Sequence, residues 1–494
     1  MPLRSPVLPL LLLAFLAPGA AGRQGAEFRW PDTPAAKQME RLVEALNSGE
    51  VAKLRQFVEG AYARQALAER PAAERAARFL EVYGDTRGLD VRKIDHSSDW
   101  SVEVRATDRL AGDWVQMRID LEPAEPHGVL GFGVRDSLPP PEFRRGRPPG
   151  DAELARELAA YLEKLAAADL FSGTVLVVHD GKPVYQQAFG LASRAWQQPN
   201  RMDTKFNLGS MNKMFTAVAV AQLVEAGKLS FDEKVAAILP DYPNQEVREK
   251  VTVHHLLTHT SGMSSYFNEE YDKADKNRFR AVRDYLPLFV NDKLQFEPGA
   301  RWEYSNSGFL LLGLIVEKVS GSDYFDYVRE HVYRPAGMAS SEAYELDRDQ
   351  KNLAMGYTKS GPDGASDPRR GWNNLFLHVV KGGPAGGGFS TAGDLVKFAQ
   401  ALRGGKLLNA KSVATLASGK VAIDPDDPQV QYAYGLFDDR SSGTRIVGHG
   451  GGFPGINSRL DMYFERGYDV AIMSNYDPPA AERVANKIRG LLAP

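Results

Sequence analysis

The chain reads as two folded units: a small α+β domain, then an α/β domain whose sheet draws strands from both of its own ends around a helical insertion. Three observations lead there. Helical periodicity over 34–57 and about 72–82 gives way to strand patterns that run to residue 136. The segment "SLPPPEFRRGRPPGD" (Ser137–Asp151) then carries five prolines and no hydrophobic period, the composition of a stiff linker. Beyond it, strand text stands at both ends of the chain and helical text between them. At 494 residues the protein exceeds one ordinary core.

In the first unit, assigned to residues 27–136, Met39, Leu42, Val43, Leu46, Leu54 and Phe57 recur at helical spacing. A second helix is expected over about Ala72–Val82. The stretches "GLDVRKIDHSSDWSVEVRATD", "DWVQMRIDLEP" and "HGVLGFGVRD" alternate as strands. This order of helices then antiparallel strands resembles, in topology alone, the cone-shaped fold of nuclear transport factor 2 and its bacterial relatives. No motif in it names a ligand, so an accessory or dimerising role is expected.

The second unit, residues 151–494, opens with the amphipathic stretch "DAELARELAAYLEKLAAAD". In "FSGTVLVVHDGKPVYQQAFGLAS" two strands flank Asp180-Gly181, a dipeptide suited to a tight hairpin. Near the other end, "TRIVGHGGGFPGINSRLDMYFERGYDVAIMSN" reads as strands with a turn at Glu465–Gly467, and Ala480–Leu492 is a final helix. The two sets of strands must meet in one sheet, with the helical middle inserted.

Composition excludes several classes. Charged residues are 25%, hydrophobic ones 43%, and the net charge of −3 comes without a long basic run, which argues against nucleic-acid partners. There is no cysteine, so disulfides, thiolate metal sites and a cysteine nucleophile are ruled out. Residues 1–22 have the form of a secretory signal: Arg4, an apolar run Val7–Leu16, then small residues. That run is too short to span a bilayer comfortably, and an exported protein, periplasmic or extracellular, is expected. Its partners would be small-molecule or short-peptide substrates.

Ser210 and Lys213 lie three apart in "NLGSMNKMFTAVAVAQLVEAGKL", the one Ser-x-x-Lys of the chain. The residues that follow are helical, which puts both on one face at a helix start. A catalytic serine needs a base within reach, and lysine serves only when neutral, a state that burial and a helix N-terminus both favour. Taken alone, the motif is equally consistent with Ser210 as an N-cap and Lys213 in solvent.

A second proton-transfer group would be a tyrosine with an asparagine beside it. Tyr-x-Asn occurs at Tyr242, Tyr266 and Tyr304. The first two lie in loop-like text. Tyr304-Ser-Asn306 precedes a strongly apolar helix, a rigid support, and is preferred. A strand should also line the site. Lys359-Ser-Gly361 sits in a turn and Lys381-Gly-Gly383 opens a glycine-rich loop, whereas His449-Gly450-Gly451 continues the strand "TRIVGH". A glycine-rich hairpin with a structural histidine is the other reading of that strand.

His255 and His259 have metal-binding spacing, but no Glu lies between them and His259 falls at the "THTSG" break, so no metal is expected. "GFGVRD" and "KGGPAGGG" lack the strand–turn–helix phosphate pattern, so no cofactor is expected.

In order and context, Ser210-Met-Asn-Lys213, Tyr304-Ser-Asn306 and His449-Gly-Gly451 resemble the motifs of the penicillin-recognising serine hydrolases. "VTVHHLLTHTSGM", "PGARWEYSNSGFLLLGLIVEKVSG" and "GGGFSTAGDLVKFAQAL" are similar to the branch holding class C β-lactamases, β-lactamase-like esterases and D-aminopeptidases. The resemblance covers about residue 150 to the end. It implies a β-lactamase/transpeptidase-like α/β domain with the site between sheet and helical insertion. It implies Ser210 as the acylated nucleophile, with Lys213 and Tyr304 sharing proton transfer. Asn306, His449, Gly450 and Gly451 would contact substrate, and the backbone N–H groups of Ser210 and Gly452 would form the oxyanion hole. His449 stands where β-lactamases carry lysine, which favours ester or peptide substrates without excluding β-lactams. The expected activity is hydrolysis of an ester, amide or β-lactam through an acyl-enzyme. A D-amino-acid-specific peptidase of cell-wall peptides, or a non-catalytic cell-wall peptide-binding protein, are the alternatives.

Overall fold

The computed structural model describes residues 28–362, 365–367 and 369–494. The expected export signal lies outside them. The first helical stretch is divided into α1 (Pro34–Ser48) and α2 (Val51–Ala61). Thr33 caps α1, and Gly49 ends it at φ 65°, donating its N–H to Leu46. A Cβ on Gly49 would stand 2.5 Å from the Tyr83 ring, so the break also needs glycine for space. A short α3 (Arg64–Glu69) and then α4 (Ala72–Thr86) follow.

Strands β1 (Leu89–Ser97), β2 (Ser101–Asp108), β3 (Trp114–Leu121) and β4 (Val129–Asp136) form an antiparallel meander in that order. Alternate residues of β2, Val102, Val104 and Ala106, are buried in one core with Met39, Leu46, Phe57 and Phe79 of the helices. The sheet thus buries one face, as its period of two requires. The proline-rich joint is not a free spacer. The Arg144 guanidinium donates to Pro139 O and to Ser442 O, tying the joint to the second domain.

That domain begins with α5 (Asp151–Ala167) and the hairpin β5 (Gly173–His179) and β6 (Lys182–Phe189). Its insertion contains α6 (Asn212–Glu225), α7 (Asn306–Ser320) and α8 (Ala392–Arg403). The chain then returns as β7 (Val421–Asp424), β8 (Asp427–Tyr432), β9 (Phe437–Asp439), β10 (Ile446–Phe453), β11 (Ile456–Tyr463) and β12 (Tyr468–Ser474), ending in α9 (Ala480–Leu492). One eight-stranded antiparallel sheet results, ordered β7-β8-β9-β10-β11-β12-β5-β6. β12 pairs with β5, Val470 opposite Val177 and Ile472 opposite Val175, so the two ends of the domain do join. The β5–β6 turn has positive φ at both Asp180 and Gly181, the backbone that this dipeptide favours.

β5 and β12 are apolar on both faces because both are covered. Val175, Val177, Val470 and Ile472 pack on Leu158, Leu162, Val484 and Ile488 of α5 and α9. Leu176, Val178, Ala471 and Met473 face the insertion. Within it, α6 is buried from Asn212 through Ala221, which suits a helix that is apolar all round.

The first domain docks mainly on α5 and α9, and its Asp85 also meets Lys359 of the insertion. Arg483 of α9 donates to Asp108 at 2.7 Å, to Asp113 at 2.6 Å and to Asp85 O at 2.9 Å, and Tyr161 donates to Asp113 at 2.8 Å. Among the described residues no helix is long and apolar enough to cross a membrane.

Candidate active site

Ser210 stands in a tight turn, Gly209–Met211, that runs straight into α6. Backbone packs closely around this turn, and that explains the glycine-rich text. Gly209 has φ 50°, and a Cβ on Gly451 would stand 1.9 Å from Leu208 O. A Cβ on Gly386 would stand 2.9 Å from Gly209 O. Gly387 donates to Gly209 O at 3.2 Å, and Leu208 donates to Gly388 O at 2.7 Å. The "KGGPAGGG" loop therefore braces the nucleophile turn. Ser210 makes no capping bond; its role as an N-cap and the solvation of Lys213 are both absent from the structure.

Lys213 is fully buried. Its Nζ lies 2.6 Å from Ala385 O, 2.8 Å from Asn306 Oδ1 and 3.2 Å from Ser210 Oγ. Burial holds its amine well below the ordinary lysine range. A neutral amine has two N–H bonds and one lone pair. The carbonyl of Ala385 and the amide oxygen of Asn306 can only accept, so they take the two N–H bonds. The lone pair is left for the Ser210 hydroxyl, which is the arrangement a general base requires.

Tyr304 is the second titratable group at Ser210. Burial pushes its phenol above the ordinary range, while a hydrogen bond with Ser210 opposes that shift. The Lys213 amine stands 4.7 Å from the centre of the Tyr304 ring. Asn306 begins α7 behind its cap, Ser305, and its own amide donates to Ser265 Oγ at 3.2 Å, fixing which end faces Lys213. Of the other Tyr-x-Asn copies, Tyr266 lines the wall of the same cavity, and Tyr242 is buried beside Asp292 outside it.

His259 is a functional candidate that sequence reasoning considered only as a metal ligand. It is buried, with its ring 4.2 Å from that of Tyr304. The "HTSG" break was the available signal: a non-glycine residue at φ 59° is costly and is kept where structure demands it. His255 does something else, closing a capping box with Thr252 at the start of the helix Val253–Leu257.

β10 brings the third motif beside the nucleophile turn. The backbone N of Gly452 lies 3.1 Å from where a Cβ on Gly209 would stand. Gly451 faces the turn, while a Cβ on Gly450 would point to Arg459 and Glu482. His449 is 2% exposed and lies behind the cavity wall rather than in it. Its Nε2 is 3.1 Å from the Tyr432 hydroxyl and its Nδ1 is 2.5 Å from Gly450 O. Burial, with Lys213 nearby, lowers its pKa to about 3, so the ring is neutral. The passed-over lysines lie elsewhere: Lys359 pairs with Asp85 of the first domain and Lys381 with Glu345.

The cavity at Ser210 encloses about 190 Å³. Its walls are Tyr266, Phe267, Tyr271 and Phe453 with Leu377, Val379 and Ile456, and the Phe267 and Phe453 rings are 5.8 Å apart. Of these walls, sequence reading named only Tyr266, and as a proton-transfer candidate rather than as a wall.

A serine hydroxyl beside a buried lysine amine and a tyrosine, in a largely apolar cavity, is the arrangement of a serine hydrolase. Residues 158–493 match the Beta-lactamase family, and the chain belongs to it. It is 30% identical over 333 residues to penicillin-binding protein 4* of Bacillus subtilis strain 168, across 65% of this chain and 71% of that protein. Over 200 residues it is 34% identical to esterase EstB of Burkholderia gladioli, across 38% of this chain and 51% of that one. The crystal structure of a penicillin-binding protein from Bacillus halodurans superposes with a TM-score of 0.59 and 35% identity, over 66% of this chain and 98% of that one. The protein is thus a β-lactamase-related serine hydrolase of the penicillin-recognising branch.

Proposed function

We propose that the protein is an exported hydrolase that acylates Ser210 with an ester, amide or β-lactam carbonyl and then deacylates with water. The observation that supports this most is the buried Lys213 amine, its pKa lowered by burial, held on Ser210 by two fixed acceptors. Ser210 Oγ adds to the carbonyl carbon as its proton passes to Lys213 Nζ. The resulting ammonium is held by Asn306 Oδ1, Ala385 O and the face of Tyr304. The carbonyl oxygen, now negative, takes the N–H groups of Ser210 and Gly452. Because its phenol stays protonated, Tyr304 can hand a proton to the departing oxygen or nitrogen and recover one from Lys213. The bond to the leaving group then breaks. Water repeats the sequence on the acyl-serine and regenerates both groups.

Export is supported by the form of residues 1–22, and residues 27–136 serve as an accessory domain in this reading. Incubation of the wild type and Ser210→Ala with a fluorophosphonate and with fluorescent penicillin, followed by p-nitrophenyl acetate, nitrocefin and D-amino-acid amides, tests it. Labelling at Ser210 and turnover of at least one substrate, both lost in the variant, are expected. A folded Ser210→Ala protein with full turnover would refute the mechanism.

A further inference from the structure

The catalytic cavity opens into a second hollow. Asn207, His378 and Ile456 line both, and the second, about 350 Å³, extends from them to the indole of Trp196. The two parts differ in chemistry. Among the described residues no lysine, arginine, aspartate or glutamate lines the part at Ser210. His378, at the junction, is held neutral at ordinary pH, since burial lowers its pKa to about 4. A carboxylate or ammonium entering there would lose hydration and gain no counter-ion.

Past Asn207 the lining turns to side-chain amides. Gln198, Gln350, Asn352, Asn374 and Asn475 belong to it beside apolar side chains such as Leu346, Leu353 and Phe389; among the described residues Arg348 is its one cation and no carboxylate lines it. Asn475 is 3% exposed; its amide donates to Leu191 O and Met355 O at 2.9 and 2.8 Å. Its Oδ1 is buried without a donor among the described residues. At the outer end Trp196 is 84% exposed, a flat apolar face at the rim of an amide-lined groove.

We propose that this groove binds one arm of the substrate, and that the arm is an uncharged sugar ring, so that the enzyme hydrolyses an acylated saccharide. The C–H face of a pyranose covers an indole. Its hydroxyls, each both donor and acceptor, match amides, which offer both as well. The proposal rests on the hydrolase reading above and deepens it.

The test compares kcat/KM of the full mature chain for four acetyl esters. These are p-nitrophenyl acetate, methyl 6-O-acetyl-glucoside, cyclohexylmethyl acetate of similar size without hydroxyls, and an O-acetyl-serine dipeptide amide. The glucoside is expected to exceed cyclohexylmethyl acetate by about tenfold or more, and W196A and Q350A to shrink that ratio severalfold. Turnover of p-nitrophenyl acetate with no preference for the glucoside overturns the proposal, and so does a larger gain from the peptide amide. No turnover of any ester, together with an unlabelled Ser210, overturns the hydrolase reading and this proposal with it.

Discussion

His259 holds Tyr304 by both of its neighbours: the His259 carbonyl accepts the Glu303 N–H at 2.9 Å, and its Nδ1 accepts the Ser305 N–H at 3.1 Å. The phenol on Ser210 is therefore aimed by a residue far from it in sequence. His259→Asn keeps an acceptor near the Nδ1 position and tolerates the left-handed backbone. His259→Phe keeps only the ring. The Phe variant is expected to lose about ten- to a hundredfold in kcat with KM little changed, and the Asn variant to lose less. Equal losses in two proteins of equal melting temperature would remove His259 from this role.

Tyr304→Phe removes a proton carrier and should slow acylation by about a hundred- to ten-thousandfold. Tyr242→Phe should leave the rate unchanged, because Tyr242 lies outside the cavity. Tyr266 lines it, so Tyr266→Phe is expected to alter KM before kcat. Burst kinetics with p-nitrophenyl acetate separate the steps.

Lys213→Met should abolish acylation, and it should also change how stability depends on pH. The folded-state pKa of Lys213 lies well below 10.5, so between that lowered value and 10.5 the unfolded chain binds the extra proton. Stability then rises with pH across that window, and the lysine contributes up to about 1.4 kcal/mol per pH unit. Urea unfolding from pH 7 to 9 should show this slope in the wild type and a shallower one in the variant.

His449 bears on the same question from the acid side. With its pKa lowered to about 3 by burial, it is neutral near neutral pH. The pH–rate profile is expected to lack a limb near 6.5 that His449→Gln abolishes. The unfolded chain, with its histidine near 6.5, takes up a proton first as pH falls from 6.5 toward 3, so stability drops there, and His449→Gln should lessen the drop.

Removal of the first domain, leaving residues 150–494, is expected to retain hydrolysis of a small ester within about tenfold. The domain docks on α5 and α9, across the sheet from Ser210. The cost should fall on stability, because Arg483, whose side chain is only 11% exposed, loses Asp108 and Asp113. Thermal melts of both proteins beside one kcat/KM measurement decide it.

Local physics made much of this legible in the chain. The Asp180-Gly181 hairpin, the final helix and the change from helical to strand spacing each depend on a few adjacent residues, and each lies where its pattern put it. Ser210 and Lys213 were readable as a pair because a helix turn carries i and i+3 to one side. The lysine's protonation state was not, since it depends on burial by Ala385 and Asn306, 172 and 93 residues away. The same holds for the aromatic walls, for the grip of His259 on Tyr304 and for the inward turn of His449 toward Tyr432. Each joins loops or strands distant in sequence, and no periodicity records which side chains those segments bring together. Packing alone chooses between a solvated lysine and a neutral base.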